Sequence, residues 1–145
     1  MNLHELQSNT KQLRVIGPVA IGANATKSGK VIDRLGYGGV QFYVQYGAVT
    51  TTGSVVTLVA KEGDVTGTLT SVADADLIGT EALASLPATT PRTSGVAQNV
   101  AKRLGYKGSK RYVTVDAVST GTTSVGCVNV TAVLFNPAVA PIDNP

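Results

Sequence analysis

The sequence RLGYGGVQFYVQYGAV (residues 34–49) predicts the fold class of this 145-residue chain. From Val40 to Tyr46, large apolar side chains recur at every second position, with Gln or Tyr between them. This period is typical of a strand that has one buried face. Glycines flank the strand on both sides, where the chain is expected to turn. The stretch therefore predicts a β-sheet packed on a core through one of its faces.

A related sequence, RLGYKGSKRYVTVDAV, occupies residues 103–118. Both copies read Arg-Leu-Gly-Tyr-x-Gly, and Tyr-Val follows at the same spacing. Glycine supports the backbone turns that such a unit needs, and Tyr can bury its ring while its hydroxyl stays near water. We interpret the repeat as architectural: two strand-turn-strand units at equivalent places in the two halves of a sandwich.

Strand character recurs along the rest of the chain. Seven further segments carry it: 14–21, 30–35, 54–62, 65–72, 96–104, 110–118 and 127–135. With turn signals at intervals of about 8–12 residues, this pattern predicts an all-β, jelly-roll-like β-sandwich of about eight strands. We expect residues 54–62 to return beside 39–49 as a hairpin, and Gly17-Pro18 to mark an edge strand.

Only residues 73–86 have helical character, and the glycine at position 79 limits the expectation to one or two turns. Asp74 could cap this segment, with Leu77, Ile78 and Leu83 facing inward. The single cysteine, Cys127, lies in a run rich in β-branched residues and is expected to be buried.

The length predicts a single domain over residues 1–145, with an arm at each end. Residues 1–13 are polar and show no pattern for joining a core. Residues 136–145 contain three prolines, which cannot donate to a strand ladder and favour an extended chain. Such arms could clamp neighbouring molecules, or they could be disordered tails.

The surface is expected to be small, polar and weakly charged, because charged residues make up 14% of the chain against roughly 25% in typical soluble domains. This suits a protein packed against others, and equally an ordinary β protein rich in Thr and Ser. The net charge of +3 is mild. The N-terminal sequence does not have the pattern of a signal peptide, and no apolar run is long enough to cross a bilayer, so we expect cytoplasmic synthesis and no membrane partner.

The basic residues are unevenly distributed along the sequence. No acid lies between Glu81 and Asp116, whereas six basic residues do: Arg92, Lys102, Arg103, Lys107, Lys110 and Arg111. This block could bind phosphates, dock on an acidic protein surface or be a solvated face. Tyr106 and Tyr112 are the only nearby aromatic residues, which argues against nucleic-acid binding.

Catalytic and metal-binding patterns are scarce, so we expect no enzyme, metal or cofactor. His4 is the only histidine, which disfavours a His-based triad or metal site. The acids of residues 74–81 lack the spacing of an EF-hand loop and are read as capping and solvated groups. A carbohydrate-binding module stays open, although the chain has no Trp for sugar stacking.

The C-terminal half resembles a family of small structural proteins encoded among the head genes of tailed bacteriophages and prophages. The features that carry this resemblance are ADLIGT (75–80), LGYKGSKRYV (104–113), TGTT (120–123), Asn-Pro at 136–137 and Ala-Pro at 140–141. The N-terminal half departs from the family, since KEGD (61–64) only loosely matches the acidic segment expected there.

The resemblance implies a capsid decoration (cement) protein that binds the outside of the virion shell and bridges subunits of the major capsid protein. A homo-oligomer, dimer or trimer, is expected, assembled in the host cytoplasm. The candidate capsid contacts are Lys107, Lys110 and Arg111. No active site, metal or cofactor is implied. The alternatives are a head–tail joining or tail-associated protein, and a carbohydrate- or receptor-binding module.

Overall fold

The computed structural model describes residues 6–22, 24–49, 52–86, 100–120 and 125–140. Within these ranges the strands are β1 (Thr10–Ile21), β2 (Thr26–Lys27), β3 (Ile32–Asp33), β4 (Tyr37–Tyr46), β5 (Val55–Val65), β6 (Thr68–Ser71), β7 (Leu77–Ile78), β8 (Val100–Tyr106), β9 (Tyr112–Thr120) and β10 (Val125–Pro137). One short helix, α1 (Glu81–Ala84), and 3-10 turns at Gln7–Asn9 and Asp74–Asp76 complete the described elements. The predicted all-β fold is confirmed.

The strands form two antiparallel sheets that enclose the core between them. Sheet A has the strand order β1-β10-β4-β8-β7, and sheet B has the order β2-β9-β5-β6, with β3 also paired to β9. Alternate side chains of the long strands face inward, as the period of two requires. The centre of the core is built from Val40, Phe42, Val44, Leu104, Val130 and Leu134 of sheet A and Val56, Leu58, Val113 and Val115 of sheet B.

The ladders show that the chain is one long hairpin wound into a sandwich. Partners approach each other in sequence from the ends of the chain towards its middle: Thr10 with Phe135, Thr26 with Val118, Ile32 with Val113, Val40 with Tyr106, and Lys61 with Ser71. Three further ladders, β4 with β10, β5 with β9 and β7 with β8, complete the sheets. This double-sheet arrangement is a jelly roll.

One consequence is that the expected hairpin between residues 39–49 and 54–62 is wrong. β4 lies in sheet A and β5 in sheet B, so the chain crosses from one sheet to the other between them. Each instead pairs with a strand from the second half of the chain, β10 or β9. Hydrophobic alternation identifies a strand and its buried face, but it carries no information about which strand lies alongside.

The repeated stretches do occupy equivalent positions in the two sheets. In sheet A, β4 lies between β10 and β8; in sheet B, β9 lies between β5 and the pair β2 and β3. The first unit therefore has in sheet A the place that the second unit has in sheet B. The equivalence does not extend to every side chain, because Leu35 is 67% exposed whereas Leu104 is fully buried.

The structure corrects several local expectations. The helical segment is capped by Thr80, whose hydroxyl accepts a hydrogen bond from the Leu83 amide at 3.1 Å. Leu77 is buried as expected, but Ile78 and Leu83 are exposed. Cys127 is also exposed, because it lies on the outward side of β10.

The edges of the fold also differ from expectation in part. β1 carries Gly17-Pro18 at an interruption of its register and is an edge strand, as predicted. It begins at Thr10, so residues 10–13 belong to sheet A rather than to the N-terminal arm. Residues 1–5 and 141–145 of the expected arms lie outside the described residues. No helix in the described part of the chain is long and apolar enough to cross a membrane.

Candidate interaction surfaces

The two copies of the repeated sequence meet at one end of the sandwich, through Arg34. Its Nε and Nη2 atoms donate to the carbonyl oxygens of Lys110 at 2.5 Å and Gly108 at 2.6 Å. The guanidinium also lies over the ring of Tyr106, 5.3 Å from its centroid. The planar guanidinium of Arg can donate to two separate acceptors and stack on an aromatic ring at the same time. The Arg of the first copy therefore fastens the turn of the second.

Tyr106 organises the same turn from inside. Its hydroxyl donates to Glu62 and accepts a bond from the Lys110 amide at 3.0 Å. Burial, and then the carboxylate of Glu62, raises the pKa of the Tyr106 hydroxyl above its ordinary value. Gly108 packs directly on the Tyr106 ring, where a Cβ would lie 2.6 Å from the ring carbon Cζ. The glycine of the Gly-Tyr-x-Gly motif is thus required by close packing.

Two of the three candidate capsid contacts take part in ion pairs within this corner. Lys110 Nζ lies 2.6 Å from Asp64, and Arg111 pairs with both carboxylate oxygens of Asp33 at 2.9 and 2.6 Å. The bonds from Arg111 lower the pKa of the Asp33 carboxyl, and the bond from Lys110 lowers that of Asp64. The sequence between Glu81 and Asp116 contains no acid, but the fold places Asp64 beside Lys110 and Asp33 beside Arg111.

We refer to Asp33, Arg34, Glu62, Asp64, Tyr106, Lys110 and Arg111 together as the corner network. Its three acids balance its three bases, so it offers an external partner little net charge. Lys107, the third candidate contact, is exposed just outside the network, and only its backbone amide is engaged, by Asp76. A role for these three residues in capsid contact stays a prediction.

The ion pair of Asp116 with Lys61 helps to fix the segment between β2 and β3. Asp116 is almost fully buried and accepts bonds from Lys61 Nζ at 2.7 Å and from the Gly29 amide at 2.9 Å. The next amide, of Lys30, donates to the Val15 carbonyl at 2.9 Å. Segment 28–30 therefore straps the edge of sheet A to sheet B.

The outward side of sheet A is a broad face with little charge, which we call the A face. By strand register it carries Thr10, Gln12, Arg14, Gly39, Gln41, Tyr43, Gln45, Ile78, Ala101, Arg103, Gly105, Cys127, Asn129, Thr131, Val133 and Phe135. None of these residues is acidic. Tyr43, Ile78 and Phe135 are exposed by 47%, 56% and 38%, which places three large apolar side chains on one face.

Two glycines make the A face flatter than its side chains alone would allow. Gly39 lies opposite Phe135, and Gly105 lies opposite Ile78. A Cβ on Gly39 would overlap the Phe135 ring, and one on Gly105 would lie 2.9 Å from Cβ of Ile78. The ring and the Ile side chain thus lie down over the glycines. A depression of about 390 Å³ at one end of the face is lined by Pro18, Gln45, Ala101, Cys127 and Asn129 among others.

The described residues contain no group of three or more His, Cys, Asp or Glu side chains that could hold a metal ion. His4 lies outside the described residues. Further open grooves lie along the β1 edge, around the corner network and beside residues 28–29. The groove at the β1 edge has apolar side chains such as Leu13, Leu35 and Tyr37 in its lining as well as basic ones.

Neither the role of Arg34 nor the A face was predicted from the sequence. For Arg34 a signal existed, since the repeat marked it, but nothing in the sequence distinguished it from Arg103. For the A face, the Gln and Tyr residues between the apolar positions of 40–46 indicated one uncharged outward strand. That β10 and β8 extend this strand into a face depends on pairing between the two halves of the chain.

No protein-family model and no curated protein sequence match the chain. Among solved structures, a Bacillus endospore appendage, described as a novel family of disulfide-linked pili, is 17% identical with a TM-score of 0.37, covering 90% of this chain and 94% of that one. Two virus structures are also similar. Infectious bursal disease virus Gt strain gives 14% identity and a TM-score of 0.35, covering 94% of this chain and 46% of the other. Mud crab tombus-like virus gives 14% and 0.29, covering 97% and 87%.

The identities and TM-scores are low, so no role is carried over from these proteins to this chain. Membership of the tailed-phage family stays a prediction that rests on the sequence motifs.

Proposed function

We propose that this chain is a structural protein of a virus particle, and more specifically a decoration (cement) protein of a tailed-phage capsid. It binds the outside of the shell and stabilises contacts between subunits of the major capsid protein. The observation that carries the proposal is the A face, a flat, acid-free face with exposed Tyr43, Ile78 and Phe135. Exposed large apolar side chains grouped on one face of a sheet are a feature of interaction sites.

The corner network supports a structural rather than an enzymatic role. Three polar residues of the sequence block that carries the family resemblance, residues 104–113, contribute to the fold of the chain itself, whereas Lys107 is exposed. Tyr106, Lys110 and Arg111 are each bonded within the chain. A catalytic group needs a reactive atom that can reach a substrate, with its pKa matched to the reaction. These residues instead hold a turn rigid beside the A face.

The proposed role needs only modest contacts. A decoration protein acts in many copies, and a dimer or trimer that spans two shell subunits gains from effective concentration. Each copy adds buried area across a seam of the shell. A dimer or trimer is therefore part of the proposal, and native mass spectrometry of the purified chain measures it.

The test of the function is the copy number in purified particles. Quantitative mass spectrometry against the major capsid protein is expected to give a number close to that of the shell subunit. A handful of copies per particle would instead support the alternative of a head–tail joining or tail-associated protein. Absence of the chain from particles would refute a virion role.

A carbohydrate- or receptor-binding module is the second candidate, and one observation favours it. Tyr43 and Phe135 present exposed rings on a flat sheet face, and sugars stack on such rings. Binding to a glycan array that is lost in Tyr43→Ala, with no chain found in capsids, would favour this function over the first.

A further inference from the structure

We propose that the A face docks on an acidic protein surface, with Arg14 and Arg103 each meeting a carboxylate on either side of an uncharged centre at Tyr43. The inference rests on the proposed function and deepens it, because it assigns the surface that meets the shell. The surface is distinct from the candidate contacts Lys107, Lys110 and Arg111, whose role stays a prediction.

The positions of the two arginines follow from the strand register. Arg14 pairs with Thr131, Thr131 with Tyr43, and Tyr43 with Arg103, so all four residues lie on one row across four strands. Three strand spacings separate the arginines, which is about 14 Å. A complementary surface therefore presents two carboxylates at about that separation.

The distribution of charge on and around the A face favours a partner with an acidic surface. Arg14, Arg103 and the neighbouring edge residues Lys11 and Lys30 have no ion pair with any described residue. The described acids lie elsewhere: four of them in the corner network or beside Lys61, and Asp74, Asp76 and Glu81 near the β7 and α1 segment. Carboxylates on a partner gain attraction over the whole face, and like charges there are disfavoured.

The centre of the face is suited to close contact. Apart from its row partner Arg103, the residues around Tyr43 on the same face are Gln41, Gln45, Thr131 and Val133. These uncharged side chains cost little to desolvate compared with charged groups. Asn129 donates to Gln45 at 3.3 Å, so part of this polar surface is already satisfied within the chain. The glycines at 39 and 105 keep the surface flat, because the Phe135 ring and the Ile78 side chain lie over them.

The charges on the face argue against a second copy stacked on it. A two-fold stack about the middle of the row would bring Arg14 of one copy over Arg103 of the other, with no acid on the face to compensate.

The test uses purified shells that lack this protein and the full-length chain. The double variant Arg14→Glu plus Arg103→Glu is compared with Lys27→Glu plus Lys107→Glu. Both make the same change in charge at exposed or partly exposed cations that have no described ion pair, but only the first pair lies on the A face. We expect the dissociation constant to rise about tenfold or more for the first variant and less than about twofold for the control. Tyr43→Asp is expected to weaken binding to a similar extent.

A second readout needs no substitution. Cys127 is the only cysteine of the chain and is exposed on the A face. Its rate of alkylation by iodoacetamide is expected to fall about tenfold or more when the chain is bound to shells. This footprint holds even if a charge-reversed variant folds poorly.

The outcomes separate the two proposals. If the wild-type chain does not bind shells at all, both the proposed function and the A-face contact are overturned. Wild-type binding with Cys127 unprotected, and with the Arg14 and Arg103 variant binding normally, overturns the A-face contact alone. A greater loss in the Lys27 and Lys107 control would move the contact towards the corner. If the free chain self-associates and Tyr43→Asp abolishes this, the A face binds a second copy of the chain. That result would also overturn the proposal.

Discussion

Arg34 and Arg103 stand at matching positions of the repeated sequence, yet they have opposite roles. Arg34 bonds two carbonyl oxygens and stacks on Tyr106, whereas Arg103 points outward from β8. We expect Arg34→Ala to lower the free energy of unfolding by roughly 2 kcal/mol or more, since hydrogen bonds to charged groups contribute about 1.5–3 kcal/mol each. Arg103→Ala is expected to change it by less than about 0.5 kcal/mol.

Urea denaturation of the two variants measures this difference. Arg34→Lys is a useful third variant, because it keeps the charge but loses the planar fork. If it unfolds like wild type, charge rather than geometry stabilises the corner. Equal losses in Arg34→Ala and Arg103→Ala would contradict the assignment of Arg34 as the fastening residue.

The ion pair of Asp33 with Arg111 predicts a pH dependence of stability. Because the pKa of Asp33 is lowered in the folded chain, its contribution to stability is complete above the unfolded pKa of about 3.9 and is lost as pH falls through the folded value. The difference in free energy of unfolding between wild type and Asp33→Asn is therefore expected to be largest at neutral pH and to vanish in acid.

Denaturation curves at several pH values between 7 and about 3 test the sign of this dependence. The matched control is Asp74→Asn, which changes an exposed acid without a described ion pair. A difference that grows as the pH falls would refute the role of the Asp33 carboxylate. High salt is expected to reduce the effect, because the pair is half exposed.

At the scale of elements, the strap of residues 28–30 connects the two sheets. Gly29 fits between β1 and β9, where a Cβ would overlap the Val115 carbonyl oxygen and lie 2.7 Å from atoms of Val15 and Thr114. We expect Gly29→Ala to destabilise the fold by roughly 1–3 kcal/mol, because the added methyl group overpacks a backbone contact. Gly22→Ala is the control, since nothing lies within 4 Å of a Cβ there.

Thermal unfolding of both variants provides the measurement. Hydrogen exchange of the Lys30 amide, which donates to Val15, tells whether the loss is local to the strap. Gly29→Ala with wild-type stability would show that the strap adapts, and that the close approach seen here is not required.

At the scale of the whole molecule, the wound hairpin makes the two halves of the chain depend on each other. In the described residues, every strand from β1 to β5 pairs only with strands from β6 to β10. Neither a 1–66 fragment nor a 67–145 fragment can therefore form a sandwich by itself. We expect both to be unfolded alone and to assemble a native-like sandwich when mixed.

Circular dichroism and proton NMR of the fragments, separate and mixed, test this expectation. The cut falls in the exposed β5–β6 turn, where Gly67 has no neighbour within 4 Å of a Cβ. A fragment that folds by itself would contradict the interleaved topology. The distant pairings also predict slow folding of the intact chain, on the order of milliseconds to seconds, because long loops must close before these contacts form.

The sequence by itself determined the all-β class, the buried face of each long strand and the architectural nature of the repeat. Those properties follow from local periodicity and turn chemistry, which act over a few residues. Only the tertiary structure decided that β4 and β5 lie in different sheets, that Arg34 fastens the second repeat, and that Asp33 and Asp64 neutralise Arg111 and Lys110. It also assembled the A face from strands far apart in sequence. The physical reason is that strand pairing joins residues up to about 125 positions apart, and no local pattern records which distant strand will be the neighbour.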